Sequence, residues 1–167
     1  MQEGNLQFNF QGAIGGFKFD EQIQDKPTYH GLSHCMKAVD FIVEMEDHYL
    51  FVEVKDFSKR TNKHNDEEKK IIDALRFKFR DTLLYRFAEE KLDKPVRYYC
   101  LIELDNAQVL YIMKELKRLL PEHGPEERWH RPLAEKCIVM NTRAWNTLLP
   151  QYPISDIISR DSDLSST

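Results

Sequence analysis

The chain has 167 residues, 41% of them apolar and 31% charged, and a formal net charge of −4. That is enough apolar material for one folded domain and too much for a disordered chain. The acidic balance excludes a globally basic surface, so a polyanion has to be met by a local basic patch or with help from a partner. No apolar run is long enough to span a bilayer and no signal-peptide pattern stands at the start. The three cysteines, Cys35, Cys100 and Cys137, form no CxxC motif, and Cys100 and Cys137 fall in apolar runs that suit reduced core thiols. A cytoplasmic protein with no membrane partner is the expectation.

Residues 1–20 carry Leu6, Phe8 and Phe10, then Phe17 and Phe19, two alternating runs around Gly12, Gly15 and Gly16. This pattern predicts a hairpin. The glycines match neither the dinucleotide fingerprint nor a P-loop, so they read as a turn. Asp20 and Glu21 follow, either as a solvated surface pair or as a source of one further acid. Gln22–Ser33 is polar and reads as a loop; His30 and His34 have helical metal spacing, but Pro27 and Gly31 argue against a helix and hence against zinc.

Met36–Phe57, MKAVDFIVEMEDHYLFVEVKDF, predicts two strands around a turn at Glu46–Asp47. A tight antiparallel turn there pairs residues whose numbers sum to 93. Val39, Phe41 and Val43 then face Val54, Val52 and Leu50 on one side of the sheet, and Asp40, Glu53 and Lys55 point to the other. Asp40 lies opposite Glu53, with Cβ atoms about 5 Å apart. For one such acid, solvation or a cross-strand pair with Lys55 is explanation enough. For the trio in register within apolar strands, a divalent cation offsets the repulsion better.

Ser58–Glu68 has no apolar residue and reads as a loop, a solvated connector or a phosphate grip built on Lys59, Arg60 and Lys63. A helix is predicted over Asp66–Leu92, with Ile71, Ile72, Leu75, Phe79, Leu83 and Phe87 as its apolar stripe and Lys69, Asp73, Arg76 and Arg80 along a polar flank. Val96–Leu104 is a buried strand. Asp105 to Gln108 has capping-box spacing, opening a helix to Leu120 with Val109, Met113, Leu116 and Leu120 inward. Glu122–Leu133 is a charged loop in which Trp129, His130 and Arg131 stand out, for stacking on a base or anchoring a contact. Cys137–Met140 is a strand, Thr142–Leu149 a helix around Trp145, and 154–167 a Ser- and Asp-rich tail beyond a single domain of residues 1–153. The order predicts an α/β or α+β fold, a mixed β-sheet with a central antiparallel hairpin flanked by helices.

Asp40, followed thirteen residues later by Glu53-Val54-Lys55 on the next strand, resembles the PD-(D/E)XK nuclease superfamily, the restriction-endonuclease-like fold. The likeness covers roughly Cys35 to Leu104. It implies that Asp40 and Glu53, with the carbonyl of Val54, hold Mg²⁺ or Mn²⁺, and that Lys55 is the catalytic lysine. It further implies that basic residues of the following helix join the site, which nominates Lys69, Arg76 and Arg80. Val39 stands where the motif has Pro, and the family's first helix with its supporting acid is replaced at best by Glu21. The implied function is phosphodiester hydrolysis, on DNA in preference to RNA. The competing expectation is a nuclease-like module that binds nucleic acid or a protein partner without cutting, alone, as a homodimer, or within a larger defence or mobile-element assembly.

Overall fold

In the computed structural model of the protein the described residues are 1–55, 65–120, 124, 125 and 128–157. Their order is β1 (Gln2–Glu3), β2 (Leu6–Phe8), β3 (Gly15–Lys18), β4 (Phe41–Glu44), β5 (Tyr49–Lys55), α1 (Asn65–Ala88), β6 (Val96–Ile102), α2 (Asn106–Leu119), β7 (Lys136–Met140), α3 (Thr142–Leu148) and β8 (Ile154–Asp156). The fold is mixed α/β. A five-stranded sheet runs β3-β4-β5-β6-β7, and a three-stranded sheet runs β1-β2-β8.

The central hairpin has the predicted register: Phe41 pairs with Val52, Ile42 with Phe51, Val43 with Leu50 and Glu44 with Tyr49. β6 and β7 then add in parallel, through α1 and α2 as crossover helices. Successive crossovers in one direction place both helices on one face, and a single core cluster joins Ile71, Leu75 and Phe79 of α1, Val109, Ile112 and Leu116 of α2, and Phe51, Tyr98 and Cys137 of the sheet. α2 opens as its sequence dictates, with the Asp105 side chain accepting from the Gln108 backbone N–H at 2.9 Å. On the other face Phe41, Val43, Leu50 and Val52 pack with Trp145 of α3 and with Phe8 and Ile154 of the small sheet.

Five expectations need correction. The aromatic runs of residues 1–20 do not pair with each other: β2 pairs with β1 and β8, while β3 pairs with β4. Residues 154–156 are not tail but strand β8, held against Leu6–Phe8, with Ile154 buried. Val39 leaves the Phe41 face and joins the α1 side, because the chain bends at Asp40 and the Val39 N–H donates to Thr82 Oγ1 of α1 at 3.1 Å. The long helix stops at Ala88 rather than Leu92; Glu90 takes a positive φ of 59° and the Lys91 N–H returns to the Arg86 carbonyl at 3.0 Å. Phe87, assigned to the apolar stripe, is 64% exposed.

Phe8 joins the two sheets, with its ring 5.5 Å from that of Phe41 and 5.8 Å from that of Trp145. Phe8→Ala is expected to cost about 3–5 kcal/mol in urea unfolding. A chain cut after Pro153 should unfold at lower urea than the full chain; an unchanged midpoint would return Ile154–Asp156 to the status of a tail.

Candidate metal and catalytic site

Asp40 sits at the bend just before β4, and its side chain replaces the next rung of the ladder: Oδ2 accepts the Val54 N–H at 2.6 Å. In an extended strand a residue's N–H and C=O leave on the same edge, so the Val54 carbonyl also faces the Asp40 side. Glu53, one residue beyond the last paired residue Val52 as Asp40 is one before Phe41, turns to the α1 face and has no solvent exposure. Its Oε1 lies 2.8 Å from Lys55 Nζ and 2.8 Å from Lys78 Nζ, and Lys78 Nζ lies 3.3 Å from Asp40 Oδ1. Among the described residues Glu53 Oε2 is buried with no hydrogen-bond partner. The structure therefore brings Asp40, Glu53, Val54 and Lys55 together.

Helix α1 holds this arrangement at three points. Asp81 Oδ2 accepts the Lys37 N–H at 3.0 Å, Thr82 accepts the Val39 N–H, and Lys78 reaches Asp40. The segment that delivers Asp40 is thus clamped to the helix that delivers Lys78. Lys78 was not among the basic residues nominated from the sequence, although a signal was present. Ile71, Leu75, Lys78 and Thr82 follow at steps of four, three and four, so Lys78 and Thr82 occupy core spacing on the helix. A lysine there either points out of the core or meets buried carboxylates, and it does the latter.

The nominated flank lies elsewhere. Lys69 is exposed, Arg76 pairs with Asp73 and Arg80 with Asp81, each at 3.0 Å, and both guanidiniums lie over the Phe77 ring. Lys59, Arg60 and Lys63 lie outside the described residues. Glu21 does not supply the further acid: its carboxylate accepts the backbone N–H groups of Gln22 and Ile23. The acid set beside Asp40 is Asp20, because β3 pairs with β4 and the Phe19 N–H bonds the Asp40 carbonyl at 2.9 Å. One carboxylate oxygen each of Glu3, Asp20 and Asp40 lie within 4.8 Å of one another. Lys18 Nζ balances that group, 2.6 Å from Glu3 and 3.7 Å from Asp20.

Electrostatics follow from this crowding. Burial, then the Asp40 charge, pushes Glu53 up from 4.5 to about 7, against the pull of Lys78 and Lys55. The same two causes raise Asp20 to about 6. Burial works against the charge of Lys78, but Glu53 and Asp40 overcome it and hold the ammonium above its ordinary pKa. The candidate ligands Asp40, Glu53 Oε2 and the Val54 carbonyl are all oxygen, the set that hard divalent cations prefer, and Oε2 has no hydrogen-bond partner among the described residues. Compared with protein families, curated proteins and solved structures, the chain matches none.

Because Glu53 binds its proton more tightly folded than unfolded, its contribution to stability is lost as pH rises from 4.5 to about 7 and is constant above that. In urea unfolding with EDTA, the wild type should lose stability between pH 5 and pH 8, and Glu53→Gln should lose less. Equal slopes in the two proteins would remove Glu53 as the titrating group.

Proposed function

We propose that the chain is a metal-dependent nuclease that hydrolyses phosphodiester bonds, with DNA the favoured polymer. The observation that carries this reading is the juxtaposition of two buried carboxylates, Asp40 and Glu53, with the ammonium groups of Lys55 and Lys78 on one face of a sheet. The antiparallel hairpin, crossover helix and parallel strand that follow it are the elements over which the sequence resembles the PD-(D/E)XK superfamily. Lys78 fills the place that the resemblance gives to a basic residue of the next helix.

Asp40, Glu53 and the Val54 carbonyl would hold Mg²⁺ or Mn²⁺, which would supply neutralisation of the phosphate and acidification of a water. The chain's own residues do the rest. Lys78 keeps the two carboxylates together by offsetting their repulsion. Lys55, with its side chain 32% exposed beside the fully buried Glu53, places a positive charge where the phosphate gains negative charge in the transition state. Asp20 and Glu3 set further carboxylates beside Asp40, with Lys18 as their counter-charge.

One observation favours a second reading, a nuclease-like module that binds without cutting. Lys78 already bridges Asp40 and Glu53 as a cation would. The test is an incubation with plasmid, linear duplex, single strands and RNA, with Mg²⁺, Mn²⁺ or EDTA, next to binding curves at one stated salt concentration. Metal-dependent cleavage is expected, and Lys55→Ala should cut about a hundredfold more slowly in single turnover with near-normal affinity. Tight binding with no cleavage under any metal establishes the second reading, and cleavage unaffected by Lys55→Ala removes the catalytic assignment.

Metal binding has its own readout. Mn²⁺ should raise the melting temperature of the wild type by mass action, and less so for Asp40→Asn. Equal shifts in both proteins would place the cation elsewhere.

A further inference from the structure

At the end of the sheet opposite the carboxylates, the chain forms a half-open cavity of about 730 Å³. Val96 lies in its wall and pairs with Tyr49, four residues before Glu53 on β5, so the cavity begins about 13 Å along the strand from the carboxylate site. The apolar walls are Leu83, Leu84 and Phe87 of α1, Leu92 of the next connection, and Trp129 and Leu133 between α2 and β7. A hole of this size is far beyond a packing fault and falls in the range of small-molecule sites.

Two features mark the cavity as built. Leu84 and Phe87 are 59% and 64% exposed, although the same helix buries Leu75 and Phe79 completely. The Trp129 indole is seated against the backbone at Gly124, where a Cβ would collide with the ring. The exposure of Leu84 and Phe87, with Trp129 in the wall, puts large apolar surface toward this space rather than into the core.

The polar rim then limits what can enter. Asp93 accepts from the Tyr49 hydroxyl at 2.8 Å, Glu135 holds Arg97 at 2.5 Å, and Lys94 bonds Glu44 at 2.7 Å and the Met45 carbonyl at 2.9 Å. Among the described residues the two guanidiniums are less fully used. Arg131 donates through one nitrogen to the Leu92 carbonyl, and Arg80 binds Asp81 through Nε and Nη2. A guanidinium carries five N–H donors, so the unused capacity at the rim is donor capacity, and the unused surface inside is apolar.

We propose that this cavity is a binding site for a small amphipathic anion. Its ring-bearing apolar body packs on Trp129, Phe87 and Leu83, and its carboxylate, phosphate or sulfonate meets Arg80 and Arg131. The site is separate from the carboxylate cluster and does not depend on the nuclease reading.

The probe is 8-anilinonaphthalene-1-sulfonate, titrated into the full chain by fluorescence beside its uncharged relative N-phenyl-1-naphthylamine. One saturable site per chain is expected, together with a raised melting temperature. Trp129→Ala and Phe87→Asp should each weaken binding about tenfold or more by loss of apolar contact, and Phe87 is exposed enough for its variant to fold. Arg80→Ala with Arg131→Ala should weaken the sulfonate and leave the uncharged probe nearly unchanged. Non-saturating binding, or binding indifferent to Trp129 and Phe87, overturns the site. Equal loss of both probes in the arginine variant overturns its anionic character. A dimer in sedimentation that Phe87→Asp converts to a monomer, with no saturable probe site in the wild type, makes this surface a subunit contact instead.

Discussion

The carboxylate of Glu53 has no exposure to solvent, yet it lies 2.8 Å from two ammonium nitrogens and shares one of them with Asp40. Removing one partner of such a buried group leaves an uncompensated charge at a cost of about 3–5 kcal/mol. The surrounding architecture is accordingly one that delivers each partner reliably. Lys55 comes from the same strand two residues on, Asp40 from the bend that leads into the neighbouring strand, and Lys78 from the helix that crosses over them. The cluster is a constraint on the fold as much as a product of it.

The clamp of α1 on residues 37–40 shows how the constraint is met. Asp81 and Thr82 hold backbone N–H groups of the incoming segment, and Lys78, one turn earlier, holds the carboxylate that the segment carries. The bend at Asp40 is therefore a consequence of two sets of bonds. Its side chain takes the Val54 N–H that a regular β4 would have paired with a carbonyl, and its neighbour Val39 turns to the helix. A strand that continued straight through Asp40 would bury Val39 on the other face.

The two ends of the parallel strands have opposite chemistry. The carboxyl end of β5 carries Glu53 and Lys55 of the charged cluster, at the end where α/β sheets commonly place their ligands. The amino end of β6 meets the last turns of α1 and the loop before β7 in an apolar recess rimmed by guanidinium groups. The short sheet β1-β2-β8 closes the remaining face over Trp145 and brings Glu3 to the charged end.

The hairpin and its register were legible in the sequence because they depend on alternation and turn length alone, which are local. The same holds for the Asp105 cap, the buried run of β6 and the shared face of Glu53 and Lys55. The partner of β2 was not legible, since β8 lies nearly 150 residues away and an alternating run names a strand without naming its neighbour. Lys78 carried a weak local signal, a polar residue at core spacing, but its meaning depends on which strands the helix crosses. Asp20 and Glu21 are equivalent as letters; pairing of β3 with β4 is what sets Asp20 beside Asp40 and leaves Glu21 to its own backbone. Short-range periodicity thus determined the central hairpin, the three helices and the trio at the centre, whereas the tertiary structure decided the charges around that trio, because electrostatic partners are chosen by distance in space and not along the chain.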